Sequence, residues 1–462
     1  MSQENTNRFT YLKEGRIIGK GNFELTPEMS CKLAVIYGSQ FDVNESIIIG
    51  RDFHYDCRML KRAFSSGLMS SGINTLNLSD CTFPLMQFTI RRYGASGGVY
   101  FSGGHLYSED VSIRFLDAQG INISQQDNQK IIDWYNNFPK NINRVDSNNI
   151  GKLTGIPQTE DIYVKSLEQF IDQKKIAEKN WKIVIDCVYS PVGNIIPLLL
   201  NDIGVEIIAL NTHYRQRIGT IPNIKTIRNT TEIVKASESH LGICFDVDAS
   251  RILIIDENGT EISFEDLLML FVTYNERIQN SKGNTIILNP EISSVVKEFI
   301  VESGFSIKEA DNYPGLISRQ IREERACFAA SDELEFYFPN FAPFSDGNLI
   351  LLKVLEIMTK QDDLISSLVK GFPKGININK TIPIPIDNIE KIHQKVRDIV
   401  ERHNYRFYDI LNDLKIIKDD VVIVLKLAIS RNAILLSAES KDIKKAKNIL
   451  SELSELIISS FE

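Results

Sequence analysis

The chain has 462 residues, 43% hydrophobic and 24% charged, with a formal net charge of −8. That length exceeds a single hydrophobic core and predicts three or four domains of about 100–150 residues each. An acidic chain without a long basic block is excluded as a nucleic-acid binder, where a basic patch dominates affinity, and no run approaches the roughly 20 apolar residues that span a bilayer.

Taken in order, the first 15 residues hold no apolar segment of the kind that targets a chain for export. Thr26 followed by Pro27 reads as a cap with proline just inside a helix that continues through residues 32–35. Residues 46–50 (SIIIG) read as a buried strand, 57–70 as an amphipathic helix and 75–78 as another strand. A β-rich run at 99–101 then breaks on Gly103 and Gly104 and restarts at 113–115. The intervening loop therefore projects from a strand end, where ligands bind in open α/β sheets. A helix follows near 126–136.

A second unit opens at 181–188 (WKIVIDCV), continues through a helix at 192–203 and a strand at 205–210, and ends on strands within 241–256. The turn between those last strands, 245–251 (FDVDASR), spaces Asp246, Asp248 and Ser250 by two. An extended backbone would point all three the same way, which is how a hard cation is gripped by oxygen ligands. The same aspartates would also suit the capping of a hairpin turn. Beyond it come a helix at 264–278, a strand at 285–288 and a helix at 293–304. Residues 371–385 are rich in proline and glycine and read as a linker, followed by strands at 421–426 and 433–437 and a helix at 442–457. Alternating strands and helices predict α/β domains with parallel or mixed sheets. The six cysteines are scattered, without a C-x-x-C pair, as buried free thiols of a reducing, cytoplasmic compartment would be. His54, His213, His240, His393 and His403 show no ligand spacing and read as surface or structural residues.

Residues 97–114 align without a gap to the loop GGVMITASHNPxxYNGIK of the α-D-phosphohexomutases, and 245–251 align to their metal loop FDGDxDR. Gly50-Arg51-Asp52, the stretch 82–88 (TFPLMQF) and Asp186-Cys187 fall in the matching order. The chain thus resembles the phosphoglucomutase and phosphomannomutase superfamily over nearly its whole length. The resemblance implies an α/β protein of four domains around a central cleft. Three are similar mixed-sheet α/β domains, at 1–150, 151–257 and 258–368, and the fourth is a smaller α+β domain at 369–462.

Against that family the chemical loops are altered. The serine that carries the phosphoryl group falls on Gly104, which has no side chain to phosphorylate, while the histidine after it is kept as His105. His105 reads equally as a packed loop residue and as a surviving acid/base group. Of three metal-binding aspartates, Asp246 and Asp248 remain and the third falls on Ser250, with Arg251 kept; such a set implies weak Mg²⁺ binding at best. The sugar loop GGExSGH aligns to 329–335, so its glutamate falls on Ser331 and its histidine on Glu335, with Glu333 the substitute if the loop shifts. The phosphate loop RPSGTEP aligns to 426–432, where Lys426, Ser430 and a displaced Arg431 are left. Phe336, Tyr337 and Phe338 either fill the emptied cleft or belong to the core.

In a mutase the phosphate passes from enzyme to sugar and back, so the covalent carrier cannot be omitted. The reading implied is an inactive or strongly impaired phosphohexomutase-like protein of carbohydrate metabolism. It would act as a binding or regulatory partner, taking a phosphosugar and pairing with itself or with another phosphohexomutase-like chain. The alternative is an active intramolecular phosphotransferase on a changed phosphosugar, with Ser102 or a bound bisphosphate as the carrier. A third possibility is a purely structural subunit.

Overall fold

The computed structural model describes residues 12–13, 15–103, 110–137, 144–213, 224–290, 292–311, 313–374, 377–384, 389–410, 413–419, 421–428, 433–440 and 442–461. They form two compact units, Met1–Leu288 with Asn312–Gly371, and Asn289–Asp311 with Phe372–Glu462. Among the described residues no helix is long and apolar enough to cross a membrane.

The first unit begins with a seven-stranded sheet. Its centre is the strand Gly97–Gly103, parallel to Ser46–Arg51 on one side and antiparallel to Asp110–Asp117 on the other. Every residue of Gly97–Gly103 is buried, as expected for a central strand covered on both faces. Thr26 caps the helix Pro27–Gly38 by accepting the Met29 N–H at 3.3 Å, as its sequence position predicts. That helix packs on Tyr55–Ser70 at a crossing where Gly67 leaves no room, since a Cβ there would lie 2.5 Å from both Ala34 Cβ and the Cys31 carbonyl. Phe64, Phe101 and Phe115 fill the layer between helices and sheet.

A second sheet places Leu241–Phe245 between Lys182–Asp186, to which it is parallel, and Ile252–Asp256, to which it is antiparallel. In the third, Phe328–Ser331 runs parallel to Thr285–Leu288 and antiparallel to Glu335–Tyr337. Phe336, Tyr337 and Phe338 are buried in this layer, where Phe336 stacks on Phe264 and Phe328. The single helix expected at 264–278 is two, Phe264–Tyr274 and Glu276–Gln279. Asn275 takes an extended backbone (ψ 104°), and its side chain caps the second helix.

The helix Gly347–Gln361 has no clear signal in the sequence, because it is apolar almost all round and buried within the unit. Asp346 caps it, accepting the Asn348 N–H at 3.0 Å and the Tyr163 hydroxyl at 2.6 Å. Burial raises this carboxyl from 3.8 to about 6, against the hydrogen bonds from Tyr163, Asn348 and Leu349. A raised carboxyl binds its proton more tightly in the folded chain, so its contribution to stability is present below pH ~4 and lost as pH rises through ~6. Asp346→Asn keeps the acceptor and removes the charge. In urea unfolding, the wild type is expected to lose up to about 3 kcal/mol more than this variant between pH 4 and 7.

In the second unit a five-stranded antiparallel sheet runs Asn377–Pro383, Ala433–Glu439, Val421–Ala428, Asp413–Lys418, Arg406–Ile410. Helices Ile389–Arg402 and Ile443–Phe461 close its core through Val396, Val400, Leu450, Leu453 and Ile457. The linker expected at 371–385 is corrected in part. Among the described residues Asn377–Pro383 is an edge strand, a position that tolerates its terminal proline because its outer side needs no ladder N–H.

Candidate functional site

Three of the four altered loops are anchored at strand ends in the first unit. Gly104 and His105 lie in residues 104–109, outside the described residues, but both anchors of that loop are defined. At its start Asp52, 1% exposed, accepts the Gly103 N–H at 2.7 Å and the His54 N–H at 2.9 Å. His54 Nδ1 lies 2.9 Å from Asp52 Oδ2, and the imidazole is so close beneath Gly103 that a Cβ there would sit 2.8 Å from His54 Cγ. Burial opposes both charges here, yet the mutual attraction and hydrogen bonds win. They hold the Asp52 carboxyl below its ordinary 3.8 and the His54 imidazole above 6.5, with Asp56 adding to the latter. His54 is therefore part of the loop's foundation, the structural one of the two roles its sequence context allows. Ser102, the conceivable replacement nucleophile, is fully buried, with its Oγ 2.9 Å from Ser112 Oγ inside the sheet. A hydroxyl packed there is not presented to a substrate.

At the other anchor, Arg114 sits opposite Tyr100 in the antiparallel register, with its guanidinium 4.4 Å from the Phe83 ring centroid. It donates to Asp248 Oδ2 across the interior, and both side chains are only 3% exposed. Asp248 comes from the hairpin joining Leu241–Phe245 to Ile252–Asp256. This turn is not extended: the Ala249 N–H returns to the Asp246 carbonyl at 3.1 Å, and Ala249 has φ +60°. The expectation that alternation points Asp246, Asp248 and Ser250 one way is overturned by that left-handed residue. Asp248 turns to Arg114, whereas Asp246 takes the Ser250 hydroxyl and the Arg251 N–H, each at 3.2 Å. The turn is held from outside by Phe83 N–H to the Asp248 carbonyl (3.0 Å), Gly347 N–H to the Ala249 carbonyl (2.9 Å) and the Ser345 hydroxyl to the Ser250 carbonyl (2.7 Å).

Arg251 reaches the third sheet, with Nη2 3.2 Å from Glu333 Oε2 and Nε 3.5 Å from Glu335 Oε1. Glu335 also accepts the Tyr337 hydroxyl at 2.7 Å. Ser331, fully buried at the end of its strand, accepts the Glu333 N–H at 3.3 Å and so shapes the loop. The structure thus brings Asp246, Ser250, Arg251, Glu333 and Glu335 together. In the second unit Lys426 is half-buried on Val421–Ala428, opposite Leu435, while Ser430 and Arg431 lie outside the described residues.

Four carboxylates thus meet two guanidiniums. Burial first, with the Asp248 charge adding, raises Asp246 from 3.8 to about 6 despite Arg251. Burial would lower Arg251, but Glu335, Glu333 and both aspartates hold it above its ordinary value. Mg²⁺ asks for several converging oxygens at about 2.1 Å. Here Arg114 engages Asp248 Oδ2, and Ser250 and Arg251 engage the Asp246 oxygens. No group of three or more His, Cys, Asp or Glu side chains among the described residues is arranged to hold a metal. As placed, Asp246, Asp248 and Ser250 are engaged with neighbouring side chains and do not converge on one point. The sequence also missed Arg114, whose only signal was a lone cation at the family's lysine position.

Residues 11–141 match the family described as phosphoglucomutase/phosphomannomutase, alpha/beta/alpha domain I, and residues 161–259 match domain II of the same family. The chain is 24% identical over 442 residues to a phosphoglucomutase/phosphomannomutase of Thermococcus kodakarensis, covering 94% of this chain and 95% of that one. It is 25% identical over 445 residues to a phosphoglucosamine/phosphogalactosamine mutase of Sulfurisphaera tokodaii, covering 94% and 96%. Its fold is similar to that of a phosphoglucomutase/phosphomannomutase family protein of Burkholderia thailandensis, with a TM-score of 0.81 at 17% identity over 96% of both chains. It also resembles N-acetylphosphoglucosamine mutase of Aspergillus fumigatus in complex with GlcNAc-6P and magnesium, with a TM-score of 0.53 at 11% identity over 89% of this chain and 82% of that one.

Proposed function

Since this chain belongs to the α-D-phosphohexomutase superfamily, we propose that it is a cytoplasmic hexose-phosphate-binding member in which the phosphoserine and Mg²⁺ cycle is inactive or strongly impaired. In this reading it serves as a binding or regulatory partner, self-associated or paired with another phosphohexomutase-like chain. The observation that carries the proposal is the buried ion pair of Arg114 with Asp248, a fixed cation held where a divalent one would need that oxygen. Glycine at 104 supports it, because no side chain there can accept a phosphoryl group. The ligand class is supported by the relatives, which are named as mutases of hexose and hexosamine phosphates.

With the carrier and the cation lost, what this chain's residues do is bind. Lys426, Ser430 and Arg431 are the groups left in the phosphate loop to hold the anionic end of a sugar phosphate through charge-assisted hydrogen bonds. Calorimetric titration with glucose 1-phosphate is expected to give the same affinity in EDTA and in millimolar Mg²⁺, and about tenfold weaker binding in Lys426→Met. Binding that strengthens tenfold or more on adding Mg²⁺ would overturn the proposal.

A further inference from the structure

Away from the loops described above, the first unit holds a cavity of ≈ 610 Å³ between residues 171–174 at the start of the short helix Gln173–Ala177, the short helix Glu276–Gln279 and the last turns of Gly347–Gln361. Its lining pairs uncommitted cations with tethered carboxylates. Lys360 bridges Glu276 at 2.8 Å and Glu356 at 3.5 Å, so those acids are held in place. Arg277 lies over the Phe170 ring at 4.5 Å, and among the described residues neither it nor Lys174 has a carboxylate partner. Asn275 also lines the cavity and is 4% exposed. Its Oδ1 accepts the Arg277 N–H at 3.1 Å, while its Nδ2 is buried with no hydrogen-bond partner. A buried amide N–H left unmet is uncommon in folded chains and calls for an acceptor.

We infer that this cavity is a second, separate binding site for a polyhydroxylated phosphate monoester. The phosphate lies between Arg277 and Lys174, and hydroxyls donate to Glu276 and Glu356. A planar guanidinium already oriented on an aromatic ring is the group that grips a phosphate with two parallel hydrogen bonds. Lys360 holds Glu276 and Glu356, and Lys175 holds Asp172, the third carboxylate of the lining, at 3.6 Å, so the acids are neutralised by fixed cations while Arg277 and Lys174 are left for the anion. The crowding of cations is felt nearby. Burial first, then the charges of Arg277 and Lys360, hold Lys353 below its ordinary value even though Glu356 opposes them. The cavity lies at one end of Gly347–Gln361, and the other end of that helix binds the hairpin through Gly347.

The test is calorimetry on the full chain with two probes, inorganic phosphate and glucose 6-phosphate. Glucose 6-phosphate is expected to bind more tightly than phosphate. In a Lys426→Met background, Arg277→Met combined with Lys174→Met should weaken both by ~10-fold or more, and Glu276→Gln should weaken only the sugar phosphate. Both sets of substitutions are at exposed positions, and unchanged unfolding midpoints verify that the variants fold. Lys426→Met separates this site from the phosphate loop, because binding at the cavity does not respond to it. Equal binding of both probes by wild type and the Arg277/Lys174 variant, or no binding of either at 10 mM, overturns the inference.

Discussion

Arg114→Met is expected to destabilise the first unit by about 3–5 kcal/mol, the range for breaking a buried ion pair by removing one member. Asp248 and Arg114 are each only 3% exposed, so water cannot replace the lost partner. The Phe83 ring over which the guanidinium lies offers no hydrogen bond to a carboxylate. Removing both charges should be far less harmful, because a well-packed apolar pair avoids the desolvation of two ions. Arg114→Met combined with Asp248→Leu is therefore expected to recover most of the loss in urea unfolding. The single variant also tests the role given to Arg114 as a fixed cation: adding Mg²⁺ should raise its unfolding midpoint and leave that of the wild type unchanged. A wild-type midpoint that rises with Mg²⁺ would mean that the ion displaces Arg114 readily.

Asp52→Ala is the second large effect, again about 3–5 kcal/mol, since it strands the Gly103 and His54 N–H groups and leaves the His54 imidazole without its carboxylate. Its pH dependence follows from the two shifts. Asp52 titrates below its ordinary value, so its contribution is present above pH ~4 and lost as the pH falls further. His54 titrates above 6.5, so its contribution is complete below that pH and is lost as the pH rises through the folded value. The deficit of Asp52→Ala relative to wild type should thus be widest between about pH 4 and 6.5 and narrower at pH 9, measured by denaturant midpoints across that range. A deficit that widens toward pH 9 would contradict the pairing.

Much of the fold was legible because its signals are local. Thr26 before Pro27 caps the helix that follows it, and the run SIIIG is a buried strand, both as their sequence reads. What was missed is non-local or overridden. Asn275 divides an apolar helix because its side chain serves the next one better, accepting the N–H groups of Arg277 and Ile278. Asn377–Pro383 is a strand because Ala433–Glu439 offers it a complete antiparallel partner, which composition alone cannot reveal. At the site, the residues carrying the family pattern were identified, yet their partnerships were not. Asp248 and Arg114 are 134 positions apart, and Asp52 and Gly103 are 51 apart. The left-handed backbone at Ala249, which defeats the alternation argument, falls on a residue with no particular preference for it.

Steady-state turnover measures most directly whether phosphoryl chemistry has been lost from this mutase framework. Glucose 1-phosphate, mannose 1-phosphate and glucosamine 1-phosphate, each with Mg²⁺, are given in turn to the purified wild type and to Gly104→Ser. Both proteins are predicted to stay below about 0.1 s⁻¹, against a usual enzyme value near 10 s⁻¹, because the serine alone restores neither the oxygen bound by Arg114 nor the phosphate loop. Turnover above that level by the wild type, or its recovery through Gly104→Ser, would contradict the account.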